Sequence, residues 1–336
     1  MAEKIVILGA GSWGIAVANL LHSNGHDVTM WEFNPADCQS LLVNRTHPQK
    51  LPGIDIPSGI LITNELSLAV SRGDYIILAV PTQKVRQVCQ SLDKLLQLPK
   101  YFVNLAKGVE IGTLLRVSEI IRSTIASSTD DRIATLSGPS HAEEVARNLP
   151  TSVVAASSNF EFAAAVQRLF SHRTFRVYRS SDLKGVELGG ALKNVIAIAS
   201  GITQGLGFGD NTSGALITRG LAEITRIGVK LGADPLTFAG LSGIGDLVTT
   251  CISRHSRNRY VGEKIGRGEK LSDILAGMVM VAEGVDTCRS ARAMAEKYQV
   301  EMPITEEVYK VLFEDKPPAE AVADLMGRSL KEEVWN

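Results

Sequence analysis

Charge of one sign is missing from this chain: 35 Lys and Arg stand against 36 Asp and Glu, a formal net charge of −1 at pH 7. No overall field draws such a protein to nucleic acid or to an anionic membrane, so any basic site must be local. Cysteine is sparse as well. Cys38, Cys89, Cys251 and Cys288 are widely scattered with no Cys-x-x-Cys pair, which predicts reduced thiols and no disulfide framework. The 6 histidines are scattered along the chain and form no cluster with the cysteines, so no metal site is expected. No apolar run of about 18 residues or more reads as a membrane span, and the first β-like run starts at Lys4, leaving no room for a secretory signal ahead of it. These absences predict a cytoplasmic protein without membrane insertion or nucleic-acid partners. Internal repeats and low-complexity tracts are absent too.

What is present is an ordinary globular composition, 45% hydrophobic and 21% charged over 336 residues, long enough to bury a sizeable core and to divide into two domains. Residues 4–14, Lys4-Ile-Val-Ile-Leu-Gly9-Ala-Gly11-Ser-Trp-Gly14, join an apolar run to a Gly-x-Gly-x-x-Gly loop and then to a helix-like stretch. A dinucleotide pyrophosphate needs this context: Gly9 for the tight turn, Gly11 for close approach of backbone to phosphate, Gly14 for packing of helix on strand. The free N–H groups and the dipole at the helix start attract the anion. The helix closes near Gly25, and Val28-Thr-Met-Trp-Glu32 follows as a strand ending in an acid, 18 residues past Gly14.

The first half alternates such runs with helical segments, as a doubly wound parallel sheet requires. Strands are expected at 4–8, 28–32, 75–80, 101–105, 132–137, 151–157 and 174–178. In such a sheet ligands bind outside the carboxyl ends of the strands, which places Lys107 and the Ser137-Gly-Pro-Ser140 turn where chemistry is expected. Strand signals stop after Tyr178. From Leu183 the chain reads as helices broken by glycine clusters, at about 184–205, 213–231, 235–241, 256–267, 271–276, 286–297 and 303–313. The fold class is therefore α/β, an N-terminal Rossmann-type doubly wound sheet over 1–182 followed by an all-helical substrate and catalytic domain over 183–336.

Three features of the second half each carry two readings. Val186 to Ile202 is almost wholly small or apolar apart from Glu187, Lys193, Asn194 and Ser200. A helix apolar on nearly all sides is buried. Lys193 is then either an ammonium whose pKa is lowered by desolvation toward the range useful for proton transfer, or a lysine snorkelling from the helix edge. Asp246, in a glycine turn leading into a helix, reads as its N-cap or as a catalytic carboxylate, with Thr250 one turn on. Arg254-His-Ser-Arg257-Asn-Arg259 sets three guanidiniums in six residues. It suits a phosphate-bearing substrate, but also a solvated face or an RNA patch.

Taken in order along nearly the whole chain, these segments resemble the NAD(P)-dependent glycerol-3-phosphate dehydrogenase family. The matching runs are Gly9-Ala-Gly-Ser-Trp-Gly14, Asn104-Leu-Ala-Lys107-Gly108, Ser137-Gly-Pro-Ser140, Leu188-Gly-Gly-Ala-Leu-Lys193-Asn194-Val195, Leu216-Ile-Thr-Arg-Gly-Leu-Ala-Glu223, Gly243-Ile-Gly-Asp246-Leu, Ser256-Arg-Asn-Arg259 and Glu283-Gly284. The resemblance implies reversible hydride transfer between a nicotinamide and the C2 carbon of dihydroxyacetone phosphate, giving sn-glycerol 3-phosphate for phospholipid synthesis, by a cytoplasmic homodimer. It implies that Lys193 is the general acid/base and that Lys107 polarises the carbonyl. Asn194, Asp246 and Thr250 would then hold substrate hydroxyls and orient Lys193. Arg257 and Asn258 would bind the phosphate, with Gly138, Ser140 and Ser256 lining the site. Its cofactor side comprises Ser12, Trp13, Phe33, Lys107, Ala142, Arg257, Val281 and Glu283. One segment departs from the commoner bacterial pattern. Glu32 and Phe33 stand where many bacterial members carry a small residue and then arginine or histidine. A carboxylate there accepts ribose hydroxyls and repels a 2′-phosphate, so NAD is expected over NADP, with NADP still possible. Two other readings are a β-hydroxyacid or ketopantoate-type dehydrogenase, against which Ser256-Arg-Asn-Arg259 counts, and a dinucleotide-sensing regulator, which has no need of a buried lysine.

Overall fold

The computed structural model describes residues 2–330, 332 and 333; the extreme ends of the two expected domains, residue 1 and residues 334–336, and position 331 lie outside them. The chain runs β1 (Lys4–Leu8), α1 (Ser12–Ser23), β2 (Asp27–Trp31), α2 (Pro35–Asn44), β3 (Thr46–His47), β4 (Leu51–Asp55), β5 (Leu61–Thr63), α3 (Leu66–Ser71), β6 (Tyr75–Leu78), α4 (Thr82–Asp93), β7 (Tyr101–Asn104), α5 (Val117–Thr124), β8 (Ile133–Ser137), α6 (Ala142–Val145), β9 (Thr151–Ala156), α7 (Phe160–Phe170) and β10 (Phe175–Ser180). Helices follow: α8 (Leu183–Gly205), α9 (Asp210–Lys230), α10 (Pro235–Phe238), α11 (Asp246–Ile252), α12 (Arg257–Gly266), α13 (Leu271–Ala276), α14 (Glu283–Tyr298), α15 (Pro303–Phe313) and α16 (Pro318–Met326).

Eight strands form one sheet in the order β10-β9-β8-β7-β6-β1-β2-β5. Neighbours from β5 to β8 pair parallel, and so do β9 and β10, but β8 and β9 pair antiparallel. The expected doubly wound sheet is thus parallel except for this one pair, between whose strands helix α6 spans only Ala142–Val145. A parallel crossover needs a connection of about a dozen residues or more, usually with a helix that returns the full length of the sheet. The strand order reverses between β1 and β6, and that switch point is where an open α/β sheet binds its ligand.

Period-two alternation sorts the strand side chains. On β1, Ile5 and Ile7 join one apolar cluster with α1, while Val6 and Leu8 join the opposite cluster with α4 and α5. All four are fully buried, which explains a run with no polar alternation. Strand β5 and the β3–β4 hairpin were not among the expected strands; their segments are short and carry little apolar pattern.

The third cluster belongs to the helices and is centred on α8, whose residues from Val186 to Thr203 are buried. By length and hydropathy α8 is apolar enough to cross a membrane, as is the stretch Pro235–Ile252. The apolar window of α8 is wholly buried inside the protein, however, and the second stretch is broken by a non-helical Gly243. Glycines set how closely α8 meets α12. A Cβ on Gly201 would lie 2.0 Å from the Arg259 carbonyl oxygen, and one on Gly262 would lie 2.0 Å from that of Ile198. The two backbones touch, which fixes the start of α12 beside the middle of α8.

Candidate active site

A cleft of about 360 Å³ runs from the glycine loop after β1 to the helices. On the sheet side the backbone fits a dinucleotide. Gly9 has φ +112°, a conformation that favours glycine, and a Cβ on Gly14 would sit 1.9 Å from the Gly9 carbonyl oxygen. A Cβ on Gly11 meets nothing within 4 Å, because that side of Gly11 is the cleft itself. Helix α1 starts at Ser12 with its N–H groups at this end. The indole N–H of Trp13 is buried without a partner in the protein. These features suit a nicotinamide dinucleotide with its pyrophosphate on α1.

Glu32 lies just past β2 and is buried; its carboxylate accepts from the Asn34 N–H at 3.0 Å. Phe33 is 73% exposed at the cleft rim, so it is no core aromatic. The opposite rim is the segment before α14. Ser12 Oγ donates to the Lys50 carbonyl at 2.6 Å and lies 2.9 Å from Met280 Sδ, and Arg257 donates to the Val281 carbonyl at 2.9 Å. Glu283 is partly buried below and accepts from the Thr82 N–H at 2.9 Å. Burial raises its carboxyl above the ordinary range, only partly offset by Thr82 and the Arg257 charge. Ala142 lines the wall from α6.

At the helical end three charged groups meet. Lys193 on α8 reaches Asp246 Oδ1 at 3.0 Å and donates to Thr250 Oγ1 at 2.5 Å. From the loop after β7, Lys107 reaches Asp246 Oδ2 at 2.8 Å and also donates to the Gly138 carbonyl at 2.9 Å. Ser140 Oγ lies 3.4 Å from the same ammonium. Gly138 itself does not line the cleft; its φ of +140° turns its carbonyl toward Lys107. Lys193 is only 4% exposed, so the snorkelling alternative fails. Asp246 is not the expected N-cap: Gly245 holds that position, and the Asp246 carboxylate is spent on the two lysines. Desolvating an ion costs roughly several kcal/mol even after relaxation, so neither lysine nor aspartate is sustainable here alone.

The electrostatics follow from that triangle. Burial lowers the Lys193 pKa and the nearby Lys107 charge lowers it further, while Asp246 pulls it back up, leaving it at about 8. Burial would raise the Asp246 carboxyl, but the two ammoniums outweigh it and hold it below its ordinary range.

A second chain of contacts ties the phosphate-suited run to this centre. Asn194 Nδ2 donates to the Lys107 carbonyl at 2.9 Å, Asn258 Nδ2 donates to Asn194 Oδ1 at 2.9 Å, and Gly284 N–H donates to Asn258 Oδ1 at 2.9 Å. Ser256 caps α12 by accepting from Arg259 N–H. Arg259 turns away, donating to the Ser253 carbonyl and pairing with Glu263 at 3.1 Å. Arg257 alone of the run presents an exposed guanidinium at the cleft. Sequence reasoning missed Lys50, His141 and His255, which also line the cleft. Lys50 comes from the unforeseen β3–β4 turn and carries no motif, whereas each histidine directly precedes a residue already singled out.

The family profile described as NAD-dependent glycerol-3-phosphate dehydrogenase N-terminus matches residues 4–163, and its C-terminal counterpart matches 182–323. The chain belongs to this family. It is a dehydrogenase that uses a nicotinamide dinucleotide. The NAD(P)+ glycerol-3-phosphate dehydrogenase of Geobacter sulfurreducens is 50% identical over 335 residues, covering 100% of both chains, and that of Lysinibacillus sphaericus is 48% identical over 99% of this chain and 98% of its own. The crystal structure of glycerol-3-phosphate dehydrogenase from Coxiella burnetii superposes with a TM-score of 0.93 at 34% identity, covering 97% of this chain and 99% of that one. A ketopantoate reductase family structure from Ralstonia eutropha shares the fold at a TM-score of 0.62 and 15% identity.

Proposed function

We propose that this dehydrogenase interconverts dihydroxyacetone phosphate and sn-glycerol 3-phosphate, with Lys193 moving the proton at the C2 oxygen. The observation that carries the assignment is the Lys193–Asp246–Lys107 triangle, with Lys193 and Asp246 buried and contacts of 3.0 and 2.8 Å, in the cleft that also holds the dinucleotide loop. A reduced nicotinamide, when bound, supplies the hydride that reaches C2. The protein does the rest. Lys107 faces the carbonyl oxygen, where a fixed cation stabilises the developing alkoxide. Lys193, with a pKa of about 8, gives that oxygen its proton in reduction, and its neutral amine takes the proton back in oxidation. Asp246 keeps both ammoniums in place, and Thr250 accepts from Lys193 while donating to the Asp246 backbone carbonyl at 2.6 Å. Arg257 grips the phosphate, with Asn258, Ser256 and Ser140 shaping its surroundings, and Gly138 contributes through the carbonyl that holds Lys107. Asn194 positions Lys107 and Asn258 through its two amide contacts.

Gly9, Gly11, Ser12, Trp13 and Gly14 hold the dinucleotide phosphates, and Ala142, Val281 and Glu283 the nicotinamide end. Glu32 and Phe33 take the adenosine, favouring NAD over NADP. Lys50 Nζ lies 4.0 Å from Glu32 and 3.3 Å from Asp37, so it offsets part of the Glu32 charge and leaves NADP admissible. This reading divides the chain into a dinucleotide domain over 1–182 and a substrate domain over 183–336. It also extends to a cytoplasmic homodimer that supplies glycerol phosphate for phospholipid synthesis, as family resemblance suggests.

The test follows NADH absorbance with dihydroxyacetone phosphate, unphosphorylated dihydroxyacetone and ketopantoate as alternative substrates. Turnover is expected with the first only, and Arg257→Ala should lose most of its kcat/KM, because remote binding energy serves the transition state. Comparable rates with and without the phosphate would refute the assignment, and preference for ketopantoate would favour the carboxylate-substrate alternative.

A further inference from the structure

His141 stands between Ser140 and Ala142, yet nothing above gives it a task. Its ring lines the cleft, and its Nε2 is shielded from bulk solvent without a hydrogen-bonding partner in the protein. The His255 ring faces it, with centroids 5.8 Å apart and planes inclined by 52°. His255 directly precedes Ser256, Arg257 and Asn258, so His141 abuts the segment assigned to the phosphate. The charges acting on it come from several elements: Lys193 on α8, Lys107 after β7, Glu143 on α6 and Asp246 on α11, with Arg257, which acts on Glu143, at the start of α12. Burial first, then the two ammoniums, hold the imidazole below its ordinary pKa, against a smaller opposing pull from the two carboxylates. His141 is therefore neutral near pH 7 while no anion is present.

We propose that His141 is a phosphate-recognition residue that takes a proton from solvent when the substrate's phosphate dianion settles against Arg257, and then donates an N–H to a phosphate oxygen. The inference rests on the phosphorylated-substrate reading and deepens it. The local field reverses on binding: a third cation is disfavoured beside Lys107, Lys193 and Arg257, but is favoured once about two negative charges enter, as a phosphate monoester carries above its second pKa near 6. One proton then passes from buffer to imidazole, and binding tightens as pH falls from 8 toward that second pKa.

Calorimetric titration of sn-glycerol 3-phosphate into the full chain with NADH bound, in two buffers of different protonation enthalpy at pH 7.5, reads this uptake directly. Wild type is expected to take up a fraction of a proton that His141→Gln loses, with affinity falling about ten-fold, the scale of one hydrogen bond to a charged group. Circular dichroism and NADH binding establish that the variant is folded. Equal uptake and affinity in His141→Gln, or loss of uptake in His255→Gln alone, would overturn this role and leave the substrate assignment standing. No binding of glycerol 3-phosphate by wild type would overturn both.

Discussion

On the proposed mechanism Lys193 surrenders a proton in one direction of reaction and recovers it in the other, which needs a pKa near the working pH. Burial supplies the downward pressure and Asp246 the restraint, and the resulting value of about 8 fixes the sign of the pH dependence. Reduction of the ketone needs the ammonium, so its kcat/KM should fall as pH rises through about 8; oxidation of the alcohol needs the amine and should rise over the same interval. Initial rates in both directions between pH 6.5 and 9.5 check this, and profiles that bend the same way would contradict it. Lys193→Met should lower kcat by about two to four orders of magnitude while NADH still binds. At the other end of the cleft, Glu32 is buried with its partner Lys50 4.0 Å away. Glu32→Ala should narrow the preference for NADH over NADPH. A ten-fold change corresponds to about 1.4 kcal/mol, within reach of one carboxylate facing a phosphate. Measuring kcat/KM with both cofactors decides it; a wild type that favours NADPH would show that Lys50 outweighs Glu32.

At the scale of elements, the site depends on how closely α12 lies against α8. Gly201 and Gly205 on α8 interlock with Gly262 and Gly266 on α12, where added Cβ atoms would fall 2.0–2.4 Å from backbone oxygens of the opposite helix. One methyl group at Gly262 cannot be absorbed by rotating a side chain, because what it meets is the Ile198 carbonyl. Gly262→Ala should therefore cost about 1–3 kcal/mol by overpacking, and it should raise KM for the phosphorylated substrate more than for NADH, because α12 carries Ser256 to Asn258 at its start. Denaturant unfolding and substrate kinetics test the two halves separately. Unchanged stability with unchanged KM would mean that the helices are free to separate. None of this spacing was legible as a helix contact in the sequence, where the same glycines fell inside the expected helices 184–205 and 256–267 with no partner assigned.

Across the whole molecule, Glu187 joins the sheet to the helices. Its buried carboxylate takes Arg116 at 2.6 Å, the Ser118 N–H at 2.9 Å and hydroxyl at 2.6 Å, and the Thr135 hydroxyl at 3.3 Å. It lies on α8 six residues before Lys193, so this tie holds α8 against the start of α5 and against β8, the neighbour of the strand that leads to Lys107. Glu187→Ala leaves Arg116 with the Ser118 hydroxyl at 3.0 Å and its surface partner Glu119 and should destabilise the protein by about 3 kcal/mol, the lower range for breaking a buried pair. Thermal unfolding with and without NADH measures it; a change below about 0.5 kcal/mol, the range of an ordinary surface substitution, would show that the tie contributes nothing.

Local chemistry is what the sequence determined unaided. A Gly-x-Gly-x-x-Gly turn, strands without polar alternation and a helix apolar on all sides are dictated by backbone sterics and by burial, so β1, α1, β2 and α8 were readable from their own residues. The motif residues Lys107, Lys193, Asp246 and Arg257 were readable too, the last three each with a second meaning attached. Only the tertiary structure chose among those meanings. It set Asp246 between two lysines instead of at a helix cap, closed the edge from which Lys193 would have snorkelled, and left Arg257 facing the cleft while Arg259 turned to Glu263. It also turned β9 against β8 and brought Lys50 and His141 into the site. The reason is physical: a pKa, an ion pair or a strand direction depends on groups far apart along the chain, whose distances exist only after the helices and the sheet have packed.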